Sequence, residues 1–190
     1  MRYNIYLRVG KGSSRHRSNL ERMTSMSVIM PGSYDPITVG HLEMIRRVAE
    51  REDEVYVVAF NNPKKEYMFS VDDRVAMMML ALDELDNVLV SYSDGLVVDY
   101  MRDHGIDRIV KGYRTEADLP WEREQAEYNL KFGGYETELI PCTPALSHVS
   151  STLVREKLRA GESTMGLLPR SVEEYAKEAL KKDKNTERKY

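Results

Sequence analysis

The sequence predicts an α/β protein in which helices cover both faces of a parallel sheet of five strands. Short apolar runs rich in valine and isoleucine alternate along the chain with longer segments of helical periodicity. These runs are nearly continuous in apolar character, which is typical of strands buried on both faces. Right-handed crossovers between successive strand–helix units then produce a doubly wound, Rossmann-like arrangement.

The first strand–helix unit carries the most unusual residues of the chain. Residues 27–30 form an apolar run that predicts a buried strand, and residues 42–49 repeat apolar positions at helical spacing. Between them runs Pro-Gly-Ser-Tyr-Asp-Pro-Ile-Thr-Val-Gly-His, residues 31–41, whose glycines and prolines predict a turn. Thr38 is the predicted N-cap of the helix that follows.

His41 lies in the first turn of this predicted helix. Unpaired amides and the helix dipole favour an anion at such a terminus. His41 adds a donor that can become cationic, and Gly40 lets a ligand approach the backbone. We therefore predict a polyphosphate site here. The structural alternative is a histidine that is simply packed at a strand–helix junction.

Further strands and helices complete the predicted fold. The strands are predicted at residues 55–60, 87–91, 108–112 and 137–141. The helices are predicted from the Ser70 N-cap to Leu85, from Asp94 to His104, at residues 119–132, from the Ser150 N-cap to Gly161 and at residues 172–180. A single domain of residues 26–182 accommodates all of them.

Both ends of the chain differ in composition from this domain. Residues 1–25 contain six basic residues and one acidic residue, and glycines and serines interrupt any periodicity. They predict a flexible basic extension, or an upstream start codon with the true start near Met23 or Met26, in preference to a targeting or RNA-binding segment. Residues 183–190 predict a charged tail that is solvated and frayed.

Composition restricts the kind of protein that the chain can be. A hydrophobic fraction of 42% and a charged fraction of 31% are typical of a soluble globular domain. The net charge of −3 argues against a general nucleic-acid binder, whose surface would be basic. The single cysteine, Cys142, excludes an internal disulfide and fits a reducing cytoplasm. No apolar stretch approaches the roughly 20 residues that a membrane span needs.

Basic and hydroxyl-bearing residues follow four of the predicted strands, at residues 32–41, 61–65, 111–114 and 146–152. Ligands of open α/β sheets bind beyond the carboxyl ends of the strands, so these segments are expected to meet in one cleft. The chain lacks both the Gly-x-Gly-x-x-Gly motif and the Walker A motif, which argues against a dehydrogenase or a P-loop enzyme. An anion with several phosphate oxygens is the predicted occupant.

Each of these segments also has a purely structural interpretation. Lysines 64–65 are typical of solvated surface charge in a loop. Arg114 is close enough in sequence to pair with Glu116 or Asp118 outside the site. The hydroxyl-bearing residues 150–152 are explained equally well as a simple helix N-cap. Their joint position beyond the strands is what favours a ligand site.

Several sequence features resemble phosphopantetheine adenylyltransferases of the nucleotidylyltransferase superfamily, over about residues 27–180. They are Gly32 to Pro36, Thr38 to His41, Lys64-Lys65 with Phe69, Lys111 to Arg114 with Glu122, and Ser150 to Thr152. The resemblance implies a nucleotidylyltransferase-type fold and a homo-oligomer, commonly a hexamer in that family.

The resemblance also implies a role for each matched position. Catalysis is implied for His41, Lys65 and Arg114. ATP binding is implied for Ser33, Tyr34, His41, Gly112, Tyr113, Arg114, Glu122, Leu146, Ser147, His148, Val149, Ser150, Ser151 and Thr152. Binding of phosphopantetheine is implied for Ser33, Lys65, Val97 and Lys111.

The sequence departs from the family pattern at several of these positions. Ser33 and Tyr34 stand where a threonine and a phenylalanine are usual, and they keep a hydroxyl and a ring. Lys111 replaces an arginine, so the charge is kept while the bidentate fork is lost. Thr152 replaces a third serine, and residues 119–121 read Leu-Pro-Trp.

The implied reaction transfers the adenylyl group of ATP to 4'-phosphopantetheine and gives dephospho-coenzyme A and pyrophosphate, by direct in-line attack. Mg²⁺ is expected to be bound by the substrate phosphates, without a dedicated protein site. The alternatives are an adenylyl- or cytidylyltransferase acting on another phosphorylated acceptor, and a non-catalytic nucleotide-binding protein on the same fold. The expected partners are the two substrates and further copies of the chain, with neither nucleic acid nor a membrane.

Overall fold

A computed structural model describes the backbone of residues 7–8 and 26–187 and the side chains of residues 26–182. The strands are β1 (Leu7–Arg8), β2 (Ser27–Gly32), β3 (Glu54–Phe60), β4 (Val88–Ser93), β5 (Arg108–Tyr113) and β6 (Thr137–Pro141). The helices are α1 (Val39–Ala49), α2 (Val71–Leu82), α3 (Val97–His104), α4 (Leu119–Gly133), α5 (Ser151–Ala160) and α6 (Arg170–Glu187). Apart from Leu7–Arg8, the predicted extension of residues 1–25 lies outside the described residues, as do residues 188–190.

The described strands form one sheet in the order β1-β4-β3-β2-β5-β6. Strands β2 to β6 run parallel, and β1 pairs antiparallel with β4 at the edge. The winding reverses at β2, which pairs with β3 on one side and with β5 on the other. The predicted doubly wound, parallel five-stranded sheet is confirmed. Its switch point, where ligands of such sheets bind, lies at the carboxyl end of β2.

Successive residues of β2 enter hydrophobic clusters on opposite faces of the sheet. Val28 and Met30 belong to a cluster shared with α1, α2 and α6. Ile29, which is fully buried, packs with Tyr100 and Met101 of α3 instead. Side chains alternate across a strand, so a continuous apolar run is buried on both sides only when helices cover both faces. The apolar runs in the sequence are therefore explained by burial of the strands on both faces of the sheet.

Several helix boundaries differ from those expected from the sequence; α2, for example, ends at Leu82 and not at Leu85. Helix α3 begins at Val97, and its N-cap, Leu96, provides no side-chain hydrogen bond. Asp94, the predicted start, instead accepts a hydrogen bond from Asn61 Nδ2 at 3.1 Å and thus joins two loops. Helix α6 begins at Arg170 and continues to Glu187, beyond the predicted end at residue 180. No helix in the described part of the chain is long and apolar enough to cross a membrane.

An ion-pair network ties the amino ends of the strands together. Arg108, the first residue of β5, lies 2.6 Å from Glu52 Oε1 and 2.8 Å from Glu138 Oε2. Arg51 adds a 2.8 Å contact to the same Glu138. These charges therefore stabilise the end of the sheet opposite to the switch point.

Candidate functional site

The turn that follows β2 is shaped around the buried ring of Tyr34. Its hydroxyl donates to the carbonyl of Met30 at 2.8 Å, and its backbone has a positive φ of 47°. A Cβ at Gly32 would lie 2.9 Å from this ring, so a larger residue there would displace it. The ring also meets His41 edge-on, with centroids 5.2 Å apart. Strained backbone that is fixed by burial is frequent at functional turns.

Helix α1 begins with a reciprocal cap between Thr38 and His41. The His41 amide donates to Thr38 Oγ1 at 3.4 Å, and the Thr38 amide donates to His41 Nδ1 at 3.1 Å. A backbone amide can only donate, so Nδ1 must be the acceptor of the imidazole ring. The neutral ring therefore carries its proton on Nε2. The predicted Thr38 cap is present, and the cap fixes the tautomer that turns an N–H donor away from it.

The protonation state of His41 differs from the sequence expectation. Burial, with the nearby charge of Arg114 as the second cause, lowers the pKa of His41 to about 4. The ring is therefore neutral at pH 7, whereas a histidine at this position was expected to be able to become cationic. A neutral imidazole with a fixed tautomer still supplies one hydrogen-bond donor.

We expect this histidine to make the protein less stable in mild acid. The unfolded chain binds a proton at His41 near pH 6.5, whereas the folded chain binds it only near pH 4. Stability should therefore fall as the pH drops through this window, by about 2 kcal/mol between pH 7 and pH 5 from this group. Urea unfolding of the wild type and of His41→Asn at both pH values measures the difference. Equal losses in the two proteins would contradict the assignment.

Residues 61–70 follow β3 and form what we call the lysine loop. Asp35, which is buried, accepts hydrogen bonds from the amides of Met68 at 2.9 Å and of Phe69 at 3.0 Å. The Lys65 amide donates to the carbonyl of Asn62 at 2.9 Å, while the Lys65 side chain is exposed to solvent. The carboxylate of the first turn thus anchors the loop that carries the lysines.

A buried arginine, Arg74 of α2, joins the same two segments. Its Nη1 donates to the carbonyl of Ser33 and its Nη2 to Asn61 Oδ1, both at 2.9 Å. No motif or periodicity in the sequence singles out this residue. The available signal was weak: Arg74 shares a helix face with Val71 and Met78, and a single arginine on such a face is usually interpreted as a snorkelling surface charge.

The end of β5 supplies two of the predicted cations. Lys111 Nζ lies 2.6 Å from Glu122 Oε2, so these two predicted ligand-binding residues pair with each other. Arg114 follows the strand, and its Nε lies 3.8 Å from Asp118 Oδ2. The pairing with Asp118 that the sequence allowed is therefore present. Arg114 is still close enough to His41 to depress the pKa of that residue.

Gly112 and Tyr113 complete this strand end. A Cβ at Gly112 would lie 2.1 Å from Met44 Sδ, so the glycine lets α1 pack closely on β5. The carbonyl of Tyr113 accepts a hydrogen bond from the Cys142 amide at 2.9 Å, which joins the carboxyl ends of β5 and β6. Packing alone accounts for Gly112, so its implied role in ATP binding remains a prediction.

Helix α5 begins against the turn after β2. Ser150 is its N-cap and accepts from the Leu153 amide at 3.0 Å, as predicted. The Ser151 hydroxyl donates to the carbonyl of Pro36 at 2.8 Å, and Arg155 Nη1 donates to the carbonyl of Asp35 at 2.6 Å. The amino termini of α1 and α5 are thus held on one turn, where unpaired amides of both favour an anion.

The other predicted residues lie beside these elements. Leu146 ends a short 3₁₀ helix, the Ser147 hydroxyl donates to the carbonyl of Pro144 at 2.9 Å, and His148 is exposed. Thr152 Oγ1 accepts from Arg155 Nη2 at 3.3 Å, and Val97 opens α3. Val149 is buried and faces Gly40, where an added Cβ would make an ordinary 3.8 Å contact with it. Available space therefore does not explain the glycine at position 40.

The arrangement as a whole is suited to a polyphosphate. The carboxyl edge of the sheet collects two helix amino termini, an N–H donor from a neutral imidazole, and cations on β5 and the lysine loop. Within the described residues, no group of three or more histidine, cysteine or acidic side chains is placed to hold a metal ion. Such a site binds and stabilises transferring phosphoryl groups chiefly through charge and position.

Comparisons with known proteins agree with this geometry. A family model described as cytidylyltransferase-like matches residues 29–157. The fold is similar to the crystal structure of a Vibrio parahaemolyticus protein assigned as a nicotinate-nucleotide adenylyltransferase, with a TM-score of 0.58 and 14% sequence identity. That match covers 80% of this chain and 99% of the other. At this identity the likeness concerns the fold.

Proposed function

The chain belongs to the cytidylyltransferase-like family, and from this premise we propose that it adenylylates 4'-phosphopantetheine with ATP, giving dephospho-coenzyme A and pyrophosphate. Family membership supports nucleotidyl transfer as the class of reaction. The identity of the two substrates is the proposal. It is supported by the resemblance of residues 31–41, the lysine loop and the end of β5 to phosphopantetheine adenylyltransferases.

One observation carries the assignment of nucleotidyl transfer. The cap of α1 occupies Nδ1 of His41, so the ring offers its Nε2 proton at a helix terminus that favours anions. A donor fixed in this way needs no reorganisation when negative charge builds on a phosphate oxygen. We assign this donor to the α-phosphate of ATP.

The proposed reaction is a single displacement at the α-phosphorus. An oxygen of the acceptor phosphate forms a bond to this phosphorus, the bond to the bridging oxygen breaks, and pyrophosphate leaves in line with its electron pair. A phosphate monoester dianion is already a nucleophile, so no general base is required. ATP enters as its magnesium complex, with the ion on phosphate oxygens and water.

The remaining residues position and neutralise charge in this proposal. Lys65 orients the attacking phosphate, and Lys111 assists it from its fixed place beside Glu122. Arg114 and the amino terminus of α5 hold the β- and γ-phosphates. These roles extend the family resemblance to the groups that the fold collects at the carboxyl edge of the sheet.

A second candidate keeps the chemistry and changes the acceptor. The solved structure with a similar fold is assigned as a nicotinate-nucleotide adenylyltransferase, and its reaction also requires a phosphorylated acceptor by its name. Lys111 stands where an arginine is usual in phosphopantetheine adenylyltransferases. A lysine does not impose bidentate geometry on a phosphate, so this position favours a different acceptor. A non-catalytic nucleotide-binding protein is the third candidate.

A panel of acceptors distinguishes these candidates. Purified protein is incubated with ATP, Mg²⁺ and 4'-phosphopantetheine, with nicotinate mononucleotide, or with CTP and glycerol 3-phosphate, and pyrophosphate release is followed. We expect release only with phosphopantetheine. Release only with another acceptor would overturn the substrate while keeping the reaction class. ATP binding without release in any mixture would favour the non-catalytic protein.

We also propose that the protein is a cytoplasmic homo-oligomer, with a hexamer expected from the family resemblance. Helix α4 supports this, since none of its residues is buried within the chain. Trp121 and Phe132 of this helix are 60% and 62% exposed. Exposed aromatic residues of this kind are enriched at protein–protein interfaces. Light scattering should give a multiple of the chain mass, and Phe132→Ser should lower it; a monomeric wild type would contradict the proposal.

A further inference from the structure

Arg74 is the most deeply buried charged side chain among the described residues, with 1% of its surface exposed. It lies on α2, and its guanidinium contacts two other segments of the chain. Nη1 donates to the carbonyl of Ser33 after β2, and Nη2 donates to Asn61 Oδ1 after β3. The guanidinium carbon also lies 4.0 Å from the centre of the Tyr67 ring.

The contacts of Asn61 extend this network to a third strand. Asn61 Nδ2 donates to Asp94 Oδ1 at 3.1 Å, and the Asn61 amide donates to the carbonyl of Ser93 at 2.9 Å. One guanidinium therefore connects the carboxyl ends of β2, β3 and β4. Hydrogen bonds of this kind fix orientation as well as distance, because the planar fork offers its donors in fixed directions.

Tyr67 connects the same guanidinium to the exposed part of the lysine loop. Its hydroxyl accepts a hydrogen bond from the Asn62 amide at 2.8 Å and lies 3.3 Å from the carbonyl of Phe60, to which it donates. The loop is thus held at Asn61 and at Tyr67, on either side of the residues that include Lys65. The segment between these two anchors carries the lysines, and the amides of Lys64 and Lys65 both donate to Asn62.

Burial of a guanidinium costs free energy that an apolar residue would avoid. An apolar side chain of similar volume would pack as well against the core side of α2. It would leave the carbonyl of Ser33 and the amide oxygen of Asn61 without their donor. The arginine is therefore explained by what it holds in place.

We propose that Arg74 is a positioning residue, which fixes the lysine loop relative to the turn after β2 so that Lys65 meets the acceptor phosphate in one place. The effect on catalysis rests on the proposed function, because that function assigns Lys65 to the acceptor. The effect on the loop does not depend on it. The two parts can therefore be measured separately.

The control variant must lose an arginine that is hydrogen-bonded within the fold without disturbing the site. Arg108 is suitable, because it pairs with Glu52 and Glu138 at the opposite end of the sheet. Arg108→Met removes a half-buried, ion-paired guanidinium at a distance from the lysine loop, whereas Arg74→Met removes a fully buried one beside it. Arg74→Lys keeps the charge and loses the fork, so it provides a variant that still folds if the methionine variant does not.

Hydrogen exchange tests the loop. Peptides that cover residues 61–70 should exchange about tenfold faster in Arg74→Met than in the wild type, with Arg74→Lys between them. The same peptides should be unchanged in Arg108→Met, whose faster exchange should be confined to the amino ends of the strands. Equal protection of residues 61–70 in all four proteins, or equal loss of protection in Arg74→Met and Arg108→Met, would overturn the proposal.

Steady-state kinetics test the consequence for catalysis. Arg74→Met should lower kcat/KM for the acceptor by about 10-fold to 100-fold, because a misplaced reacting group costs rate even when it remains bound. The KM for ATP should change by less than about threefold, and Arg108→Met should match the wild type in both. Faster loop exchange with unchanged kinetics would overturn the catalytic part. A wild type without activity on any acceptor would refute the proposed function. The hydrogen-exchange result would then still test whether Arg74 fixes the lysine loop.

Discussion

Replacement of His41 by asparagine is expected to lower kcat by about 10²-fold to 10³-fold while the KM for ATP changes by only a few-fold. Asparagine can place its side-chain oxygen where Nδ1 accepts from the Thr38 amide at 3.1 Å, so the cap of α1 is kept. The donor at Nε2 is lost. The variant thus separates the structural role of the ring from its role toward the α-phosphate.

The physical reason for a loss in kcat is the timing of the charge. Under the proposed function, the helix terminus would already hold the α-phosphate in the ground state, so one further donor would add little there. In the transition state negative charge builds up on the α-phosphate oxygens, and a donor fixed beside them stabilises this charge. A group that acts at this stage changes kcat far more than KM.

His41→Gln is the matched comparison. Its longer side chain carries an amide NH₂ toward the position of Nε2, so it should recover part of the lost rate while weakening the cap. Urea unfolding of both variants at pH 7 separates stability from catalysis. The contrary result is an unchanged kcat with a raised KM for ATP, so that kcat/KM falls by the same factor as KM rises. It would show that His41 merely binds ATP and would contradict the transition-state role.

The general architecture could be predicted from the sequence because its signals are local. The apolar runs of β2 and β3 are buried between helices, so they show almost no polar residue and are easily recognised. The N-caps at Thr38, Ser70 and Ser150 are also local signals. Each of these side chains accepts a hydrogen bond from the backbone amide three residues later, as expected. The expected position of the candidate site followed from topology, since parallel strands end at one edge of the sheet.

The features that the sequence did not reveal depend on contacts between distant segments. The pKa of His41 is set by burial and by Arg114, which lies far along the chain. The Asp94 carboxylate accepts a hydrogen bond from Asn61 and caps no helix, and the two Nη atoms of the buried Arg74 donate to Ser33 and Asn61. No periodicity or propensity records such pairings, because each is a property of two or three separated residues in the folded chain.

The ion pair between Lys111 and Glu122 illustrates the same limit within the site. From sequence, Lys111 is assigned to the acceptor and Glu122 to ATP by resemblance alone. In the folded chain their charged atoms lie 2.6 Å apart, and both side chains are largely buried. A lysine held in this way is oriented before the ligand arrives, which reduces the entropy lost on binding.

Replacement of Lys65 by methionine should lower kcat/KM for the acceptor by roughly 10²-fold, the second large effect that the proposed function predicts. Lys65 is exposed and its ammonium group faces solvent, so the change should leave the stability of the protein nearly unaltered. The KM for ATP should also stay within about threefold, because the lysine acts on the other substrate. Initial rates at varied acceptor and saturating ATP, and then the reverse, measure the split.

Lys64→Met is the natural control, since the neighbouring lysine is exposed in the same loop and carries the same charge. If Lys65 acts through a defined position, Lys64→Met should match the wild type within about threefold at 0.15 M salt, where long-range attraction is largely screened. Equal losses in the two variants, which disappear at higher salt, would mean that the loop only attracts anions. A loss confined to Lys65 and retained at high salt would require direct contact with the attacking phosphate, because only a contact at short range resists screening.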